Sequence, residues 1–469
     1  NRLTLLLFSP LILRSWLFVH KLRLKFVSSN IKNSKPQRRR IGVVGSGIAG
    51  LSAAWALSKR HDVTLFDKNT YFGGHANTVR IDLQGEGFNV DTGFIVYNDV
   101  NYPHLVNLFD SLSVNTCASD MSFSASLDDG KFEYSGSGFS GLLAQPKNIV
   151  NSRFWRMLKG IRRFYKNANR YMSEDLSGLT IGQLLDRENY SQTFKEDHLL
   201  PMASAIWSTA DSDILAYPSG AFLRFFENHG LLRLHDRPQW RTVAGGSKQY
   251  VCLLLKDSQI KTYKECHITE VRREANAAYC HDNRGNVYEF DEIVMATHAD
   301  EALALLKDPT SLERKVLSFF KYSNNVACLH TDAALMPHTK KAWASWNYMR
   351  GHKLEAPSGV CITYWMNNLQ HLPTTKDIFV TLNPETPPKS SHTYGEYSYK
   401  HPIFNTQTDS AQSLSISLQG SHRTWYCGSY LGHGFHEDGI QSGLWVAGQL
   451  GSPPPWEHAG YNRLPSSYD

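Results

Sequence analysis

Apolar residues along this chain switch between two spacings, and each switch marks an element. Ile41-Gly-Val-Val44 is a short, largely β-branched run that breaks at Gly45-Ser-Gly47-Ile-Ala-Gly50 and continues as Leu51-Ser-Ala-Ala-Trp-Ala-Leu-Ser58, made mostly of good helix formers. That order predicts a strand, a tight turn and a helix. Val63-Thr-Leu-Phe66 predicts the next strand, ending at Asp67. Val79 to Leu83 and Phe88 to Asp91 predict a pair of short strands around a turn at Gly85 and Gly87. Behind Asn101 and Pro103, residues Leu105, Leu108, Phe109 and Leu112 recur at i, i+3, i+4 and i+7, which predicts a helix with one apolar face.

Between residues 120 and 240 strand signals thin out and aromatic residues and helical spacing take over. Arg153 to Arg170 holds seven Lys/Arg and no acid, with Phe154, Leu158, Ile161, Tyr165 and Ala168 as an apolar stripe. Such a helix suits an anionic membrane or, more commonly, a solvated basic face whose stripe packs on a core. Strand spacing returns at Trp240-Arg-Thr-Val243 and Ile268 to Arg272, then in a hairpin, Ala278–Cys280 with Val287–Phe290, and in Ile293-Val-Met-Ala-Thr297. Arg423-Thr-Trp-Tyr-Cys427 reads as a last strand and Ile440 to Ala447 as a closing helix. The expected organisation is α/β: a doubly wound, Rossmann-type lobe from residues 41–120, 240–300 and 420–451, with an inserted α+β lobe from 121–239 and 301–419. Residues 452–469 read as a loose, Pro-rich tail.

The 469 residues suffice for two or three domains, or one large domain with an inserted lobe. The net charge of +6 comes from residues 1–40, which carry ten Lys/Arg and no acid and leave about −4 for the rest, so the body is no polyanion binder and no nucleic-acid partner is expected. That segment reads as a basic targeting or disordered stretch of organellar, transit-like character; its apolar run Leu3–Leu13 is short for a bilayer, a signal-anchor is the alternative, and the localisation stays open. Seven scattered cysteines without a C-x-x-C pair imply reduced, mostly buried thiols rather than a disulfide framework or a zinc site.

The chemistry starts at the glycines. Gly45 permits the turn, Gly47 lets backbone approach a pyrophosphate and Gly50 allows close helix–strand packing, while the helix N-terminus supplies free N–H groups and about half a positive charge. Asp67, at the tip of the second strand, is placed to accept hydrogen bonds from an adenosine ribose. Gly136-Ser-Gly138-Phe-Ser-Gly141 repeats the glycine spacing, but Pro146 interrupts any following helix and Asn151 to Met172 contains no acid, so a flexible loop is expected there. One glycine motif passing this test implies a single dinucleotide site and none for a nicotinamide co-substrate.

Together with Gly73-Gly-His-Ala-Asn-Thr78, Asp91-Thr-Gly-Phe-Ile-Val96, Ser119-Asp-Met-Ser-Phe-Ser124, Ala205-Ile-Trp-Ser208, Arg237-Pro-Gln-Trp-Arg-Thr-Val243 and Gly434-Phe-His-Glu-Asp-Gly439, these residues resemble the flavin-containing amine oxidase and phytoene desaturase superfamily. More narrowly, Ile41 to Gly451 is similar to predicted FAD-binding oxidoreductases and to the N-terminal flavoprotein region of plant cyclopropane fatty acid synthases. The resemblance implies FAD, held by Gly45, Ser46, Gly47, Ile48, Ala49 and Gly50 at the first turn and by Gly73, Gly74 and His75 over the pyrophosphate. It further implies that Gly93, Phe94 and Ile95 lie against the flavin ring and that Val271 bonds the adenine through its backbone. Gly428 would end the final strand, and Glu437, Asp438 and Gly439 would open a helix aimed at the flavin pyrimidine. Ser429 stands where amine oxidases commonly have an acid, and Lys321 is the candidate for a lysine that holds water near the flavin N5.

A flavin oxidant needs an aromatic or apolar wall to orient a C–H bond. Trp207, Trp346, Tyr348, Tyr364 and Trp365 are candidates, with Trp346 and Tyr348 first because Trp-Asn-Tyr alternation puts both rings on one strand face. His433, His436, Glu437 and Asp438 are read as partners of ribityl or phosphate groups, with no metal site. The expected function is an FAD-dependent oxidoreductase that removes hydride from a hydrophobic, acyl-lipid substrate. The alternatives are a mono- or polyamine oxidase and a non-catalytic FAD- or lipid-binding carrier on the same fold. A membrane surface is a further expected partner, and the electron acceptor stays open.

Overall fold

A computed structural model describes residues 38–176, 178–233, 236–351 and 360–456; the basic segment 1–37 and residues 457–469 of the tail lie outside the described residues. The strand Arg40–Val44 is the centre of a five-stranded sheet, ordered Ile260–Tyr263, Asp62–Phe66, Arg40–Val44, Glu292–Met295, Thr424–Tyr426, with every neighbouring pair parallel. A parallel sheet covered on both faces needs strands that are apolar throughout. Ile41, Val43, Leu65, Phe66, Ile293, Val294 and Met295 meet that need and are fully buried.

The helix Ile48–Ser58 follows the first strand, and all eleven of its residues are buried. An apolar helix of this kind has no wet face, so it must be covered on every side. The closing helix His436–Gln449 covers it at close range: a Cβ on Gly443 would lie 2.2 Å from the Ala49 carbonyl oxygen, and one on Gly439 2.7 Å from Ile48 Cγ2. A three-stranded antiparallel sheet, Ile268–Arg273, Ala278–Asp282 and Val287–Phe290, completes this lobe.

The other lobe rests on a seven-stranded mixed sheet, ordered Thr393–Ile403, Lys321–His330, Phe379–Leu382, Cys361–Trp365, Trp346–Arg350, Phe123–Leu127, Phe132–Ser135. Residues 152–228 add helices around a core of aromatic rings, among them Phe164, Tyr171, Phe194, Phe222 and Phe226. A small sheet of Val96–Asn98, Trp240–Val243 and Thr116–Ser119 joins chain segments far apart in sequence. Among the described residues, no helix is long and apolar enough to cross a membrane. All seven cysteines are free thiols, and five are buried.

Two local expectations change. The second glycine motif is not a loop: Gly138–Leu142 forms one short helix, entered through the left-handed Gly138 at φ 79°, before Pro146 opens a 3₁₀ turn. The basic helix, Ser152–Met172, packs a broader face than expected: Phe154 and Ala168 of the stripe are buried together with Met157, Gly160, Phe164 and Tyr171, while Leu158, Ile161 and Tyr165 pack beside them half-buried. Gly160 widens that face by letting Phe194 pack directly on the helix, since Phe194 Cβ lies 2.5 Å from where a Cβ on Gly160 would be.

Candidate active site

At the carboxyl ends of the parallel strands, where open α/β sheets bind ligands, a cavity of about 300 Å³ opens between the two lobes. Its floor is Gly47, Ile48 and Ala49, followed by Ala296–His298 beyond the fourth strand and Gly428–Tyr430 beyond the last. Gly93, Phe94 and Ile95 form one side, and His436 and Gly439, from the first turn of the closing helix, another. The roof is aromatic: Trp207, Phe225, Trp346 and Tyr364, with Tyr322 and Tyr399 beside them.

The sequence builds the floor through backbone crowding. Gly45, at φ 103°, would carry a Cβ 2.7 Å from the Ala296 carbonyl oxygen, and Gly50 one 1.9 Å from that of Gly45. Gly47 differs, since a Cβ there meets nothing within 4 Å. It also caps the helix without any side-chain hydrogen bond, so the first-turn N–H groups face open space. The Gly73-Gly74 turn closes on it, with the Gly74 Cβ position 3.0 Å from Gly47 Cα. The Phe94 N–H donates to the His75 carbonyl at 2.7 Å, which joins this turn to the Gly93–Ile95 segment. Asp91 anchors that segment: its carboxylate accepts from Ser247 N (2.9 Å), Ser247 Oγ (2.7 Å), Thr78 Oγ1 (2.5 Å) and Gln370 Nε2 (2.8 Å), while burial pushes its pKa up to about 6.

The electrostatics of the cavity are those of a dry site. Among the described residues no Asp or Glu lines it, and its imidazoles are held neutral by burial: His401 and His433 at about 4, His436 at about 3 and His75 well below the ordinary value. His436 stacks on Phe94 at 3.6 Å between ring centroids and bonds the Tyr250 hydroxyl at 2.9 Å. Lys400 is the one lysine among the lining residues, 3.6 Å from Asp300. Among the described residues, buried polar atoms without a hydrogen-bond partner belong to five lining residues: His75 Nε2, Trp207 Nε1, His298 Nδ1, Trp346 Nε1 and Tyr430 Oη. A large ligand with scattered acceptors and an apolar body would satisfy them.

The structure thus gathers Gly47, Ile48, Ala49, His75, Gly93, Phe94, Ile95, Gly428, Gly439 and Trp346 on one cavity, with Gly45, Ser46, Gly50, Gly73 and Gly74 directly behind its floor. Five expected site residues fall elsewhere. Tyr348 is buried in the sheet core, because the Trp346–Arg350 strand leaves the cavity after its first residue; Tyr364, paired across from Trp346 with ring centroids 4.9 Å apart, takes that place. Lys321 is exposed at a strand end, and the side chain on the cavity there is Tyr322. Glu437 instead caps the helix Pro103–Leu112, accepting from His104 N at 2.8 Å and Leu105 N at 3.1 Å, with burial pushing it up to about 8. Asp438 caps its own helix through Phe435 N at 2.9 Å. The Val271 carbonyl accepts the Lys307 N–H at 3.0 Å within the fold.

Asp67 points back at the glycine turn, accepting from Ser46 N at 2.9 Å, from the Ser46 hydroxyl and from Asn69 N at 2.8 Å. Each carboxylate oxygen keeps acceptor capacity, so the residue both fixes the turn and remains able to take a ribose hydroxyl. Asp67→Ala removes both and is expected to weaken dinucleotide affinity at least about tenfold, since a charge-assisted hydrogen bond contributes about 1.5–3 kcal/mol. Titration of the apoprotein reads this directly, and an unchanged dissociation constant would place the ribose elsewhere. His401, Tyr399, His298 and Phe225 escaped the sequence reading; the i, i+2 spacing of Tyr399 and His401 on one strand is the only signal that could have raised two of them.

Comparison with known proteins completes the picture. A family described as NAD(P)-binding Rossmann-like domain matches residues 43–112. A 4,4'-diapophytoene desaturase of Staphylococcus aureus is 44% identical over 55 residues, 12% of this chain and 10% of its own length. An uncharacterised protein of Methanocaldococcus jannaschii is 44% identical over 54 residues, 12% of this chain and 13% of its own. The chain therefore matches only about a tenth of either curated relative. Solved structures are similar over nearly the whole fold. The CLA-producing fatty acid isomerase from P. acnes has a TM-score of 0.61 at 14% identity, over 90% of this chain and 99% of that one. A putrescine oxidase triple mutant gives 0.63 at 12%, over 88% and 98%, and the cyclohexylamine oxidase from Brevibacterium oxydans IH-35A gives 0.61 at 12%, over 88% and 100%. At such identities the likeness establishes the fold.

Proposed function

We infer that this chain is an FAD-dependent oxidoreductase of the amine oxidase-like superfamily, and we propose that its substrate is a hydrophobic molecule of the acyl-lipid class. The observation that carries the substrate reading is the lining of the cavity, which is aromatic and apolar, holds no carboxylate, and keeps its imidazoles uncharged. Each methylene moved out of water contributes about 0.8 kcal/mol, so an acyl chain is held there without a counter-ion. A cationic amine would enter a site with no anion to meet it. The P. acnes neighbour, a fatty acid isomerase by its description, adds weight to the lipid reading, and the two amine oxidases keep an amine as the competing one.

Bound in this cavity, FAD would supply a two-electron acceptor for a substrate hydride. The Gly47 turn and the N-terminus of the Ile48–Ser58 helix would hold its pyrophosphate, and Gly93–Ile95 with the first turn of the closing helix would flank its ring. Trp346 and Tyr364 orient the substrate by ring contact, and the aromatic roof keeps water from the reacting carbon.

The purified protein is expected to be yellow and to release FAD on denaturation. Under anaerobic conditions its flavin absorbance should bleach with detergent-dispersed unsaturated or methylated acyl lipids and stay unchanged with mono- and polyamines. Bleaching by an amine alone would overturn the lipid reading, and bleaching by neither would favour a carrier.

A further inference from the structure

The cations between residues 153 and 170 lie beside apolar side chains that the fold leaves uncovered. Val150 is 87% exposed, Trp155 54% and Ile149 51%, and Phe139, on the short helix that precedes them, 86%. Leaving several large hydrophobic groups in water along one short stretch is unfavourable unless something covers them. Two hydrogen bonds from side chains to backbone carbonyls hold the segment in this state. Asn148 is fully buried and donates to the Glu133 carbonyl at 3.0 Å, so the 3₁₀ turn Pro146–Val150 must present Ile149 and Val150 outward. Trp155 Nε1 donates to the Ile149 carbonyl at 2.8 Å, which fixes the indole beside them.

From Trp155 the exposed face of the helix continues through Arg156, Lys159, Arg162 and Lys166, at helical spacing. The other cations of the helix are already engaged. Arg153 pairs with Asp197 and Asp128, Arg170 with Glu174 and Glu188, and Arg163 donates to the Glu188 and Asn189 carbonyls. Lys147, Lys159, Arg162 and Lys166 form no salt bridge among the described residues. Asp128, Asp197, Glu174 and Glu188 are thus spent on Arg153 and Arg170, and an apolar tip carrying a tryptophan leads into a row of cations, Arg156 held by the Ser152 hydroxyl at 3.1 Å, that have no ion pair among the described residues.

We propose that this face docks the protein on an anionic lipid surface, with Ile149, Val150 and Trp155 entering the headgroup layer and Arg156, Lys159, Arg162 and Lys166 meeting the lipid phosphates. Charge complementarity selects an anionic partner, and the indole beside two aliphatic side chains selects a bilayer interface over a rigid acidic protein surface. The proposal is independent of the flavin chemistry, because it reads binding and not turnover.

Co-sedimentation of the full-length protein with vesicles of phosphatidylcholine alone, and of phosphatidylcholine mixed with phosphatidylserine, tests it. The native chain should bind the anionic vesicles and lose them at high salt. Val150→Ser with Trp155→Ser, and separately Lys159→Glu with Arg162→Glu, should each weaken binding at least about tenfold. All four side chains are exposed, so melting temperature and flavin content should match the native protein. Comparing full-length chains isolates this face from the basic residues 1–40. Variants that partition like the native chain, equal binding to both vesicle types, or binding to neither would overturn the proposal.

Discussion

Gly50→Ala is expected to abolish FAD binding and to lower the melting temperature of the apoprotein, whereas Gly47→Val abolishes FAD binding and leaves the melting temperature alone. The two glycines stand three residues apart in the same motif, yet their surroundings differ. A Cβ at position 50 would lie 1.9 Å from the Gly45 carbonyl oxygen and 3.0 Å from the Ala296 Cβ, so the turn must move away from the sheet. Gly45 is itself fixed by its N–H bond to the Phe66 carbonyl at 2.9 Å, and the displacement therefore spreads into two strands. Overpacking of this kind costs about 1–3 kcal/mol or more. At position 47 the backbone is extended, φ −63° and ψ 175°, which a β-branched residue adopts without strain. A Cβ there meets no atom within 4 Å. The added methyl groups instead fill the space in front of the helix N-terminus, where a pyrophosphate would sit. Losing that approach should weaken FAD at least about a hundredfold, near 3 kcal/mol. Apoprotein melting curves and FAD titrations separate the two outcomes. Native affinity in Gly47→Val would remove the pyrophosphate from this turn.

The same contrast explains what the sequence made legible. A glycine motif constrains backbone over a few neighbouring residues, so the strand, turn and helix around Gly45–Gly50 follow from local pattern alone, as do the helix at Pro103 and the hairpin after Ala278. The cavity roof is a different problem. Trp346 and Tyr348 satisfy the alternation rule, but the rule gives a shared strand face and says nothing about where along the strand the cavity ends. Register decides it: Trp346 lies opposite Tyr364 at the mouth of the sheet, and Tyr348 opposite Ile362 inside it. Glu437 and Asp438 show a second limit. Acids in the first turn of a helix look like ligand groups in sequence, yet here they cap backbone N–H groups of the Pro103–Leu112 helix and of their own. Only the long-range packing that sets one helix end against another distinguishes the two uses.

Removing the Glu313 carboxylate should cost about 3–5 kcal/mol of stability by chemical denaturation, as much as truncating a large core side chain. Glu313 and Arg273 are both buried, with side-chain exposures of 2% and 1%. The guanidinium spans both carboxylate oxygens, Nη1 to Oε1 at 2.5 Å and Nη2 to Oε2 at 3.1 Å. Tyr426 donates to Oε1 at 2.6 Å and Thr310 N to Oε2 at 2.7 Å. One carboxylate thereby ties together the strand Ile268–Arg273, the helix Ser311–Leu317 and the last strand of the parallel sheet. Among the described residues, Glu313→Ala leaves the buried guanidinium with Asp308 alone, whose carbonyl accepts at 2.7 Å and whose carboxylate accepts at 3.3 Å, and it leaves the Tyr426 hydroxyl without its acceptor. Burial alone would raise the Glu313 carboxyl, but hydrogen bonds from Arg273, Tyr426 and Thr310 outweigh it and hold the pKa down to about 2, below the ordinary 4.5. A carboxyl depressed on folding contributes its full stability above the ordinary pKa and loses it as pH falls through the folded value. The stability difference between the native protein and Glu313→Gln should therefore be constant from neutral pH to about 4.5 and shrink between there and about 2. A difference that stays constant through that window would show that shape and hydrogen bonding, rather than charge, hold the three elements together. Replacing both partners, Arg273→Met with Glu313→Leu, should recover part of the loss, because it removes the stranded guanidinium along with its counter-charge while the Tyr426 hydroxyl and Thr310 N–H still lack their acceptor.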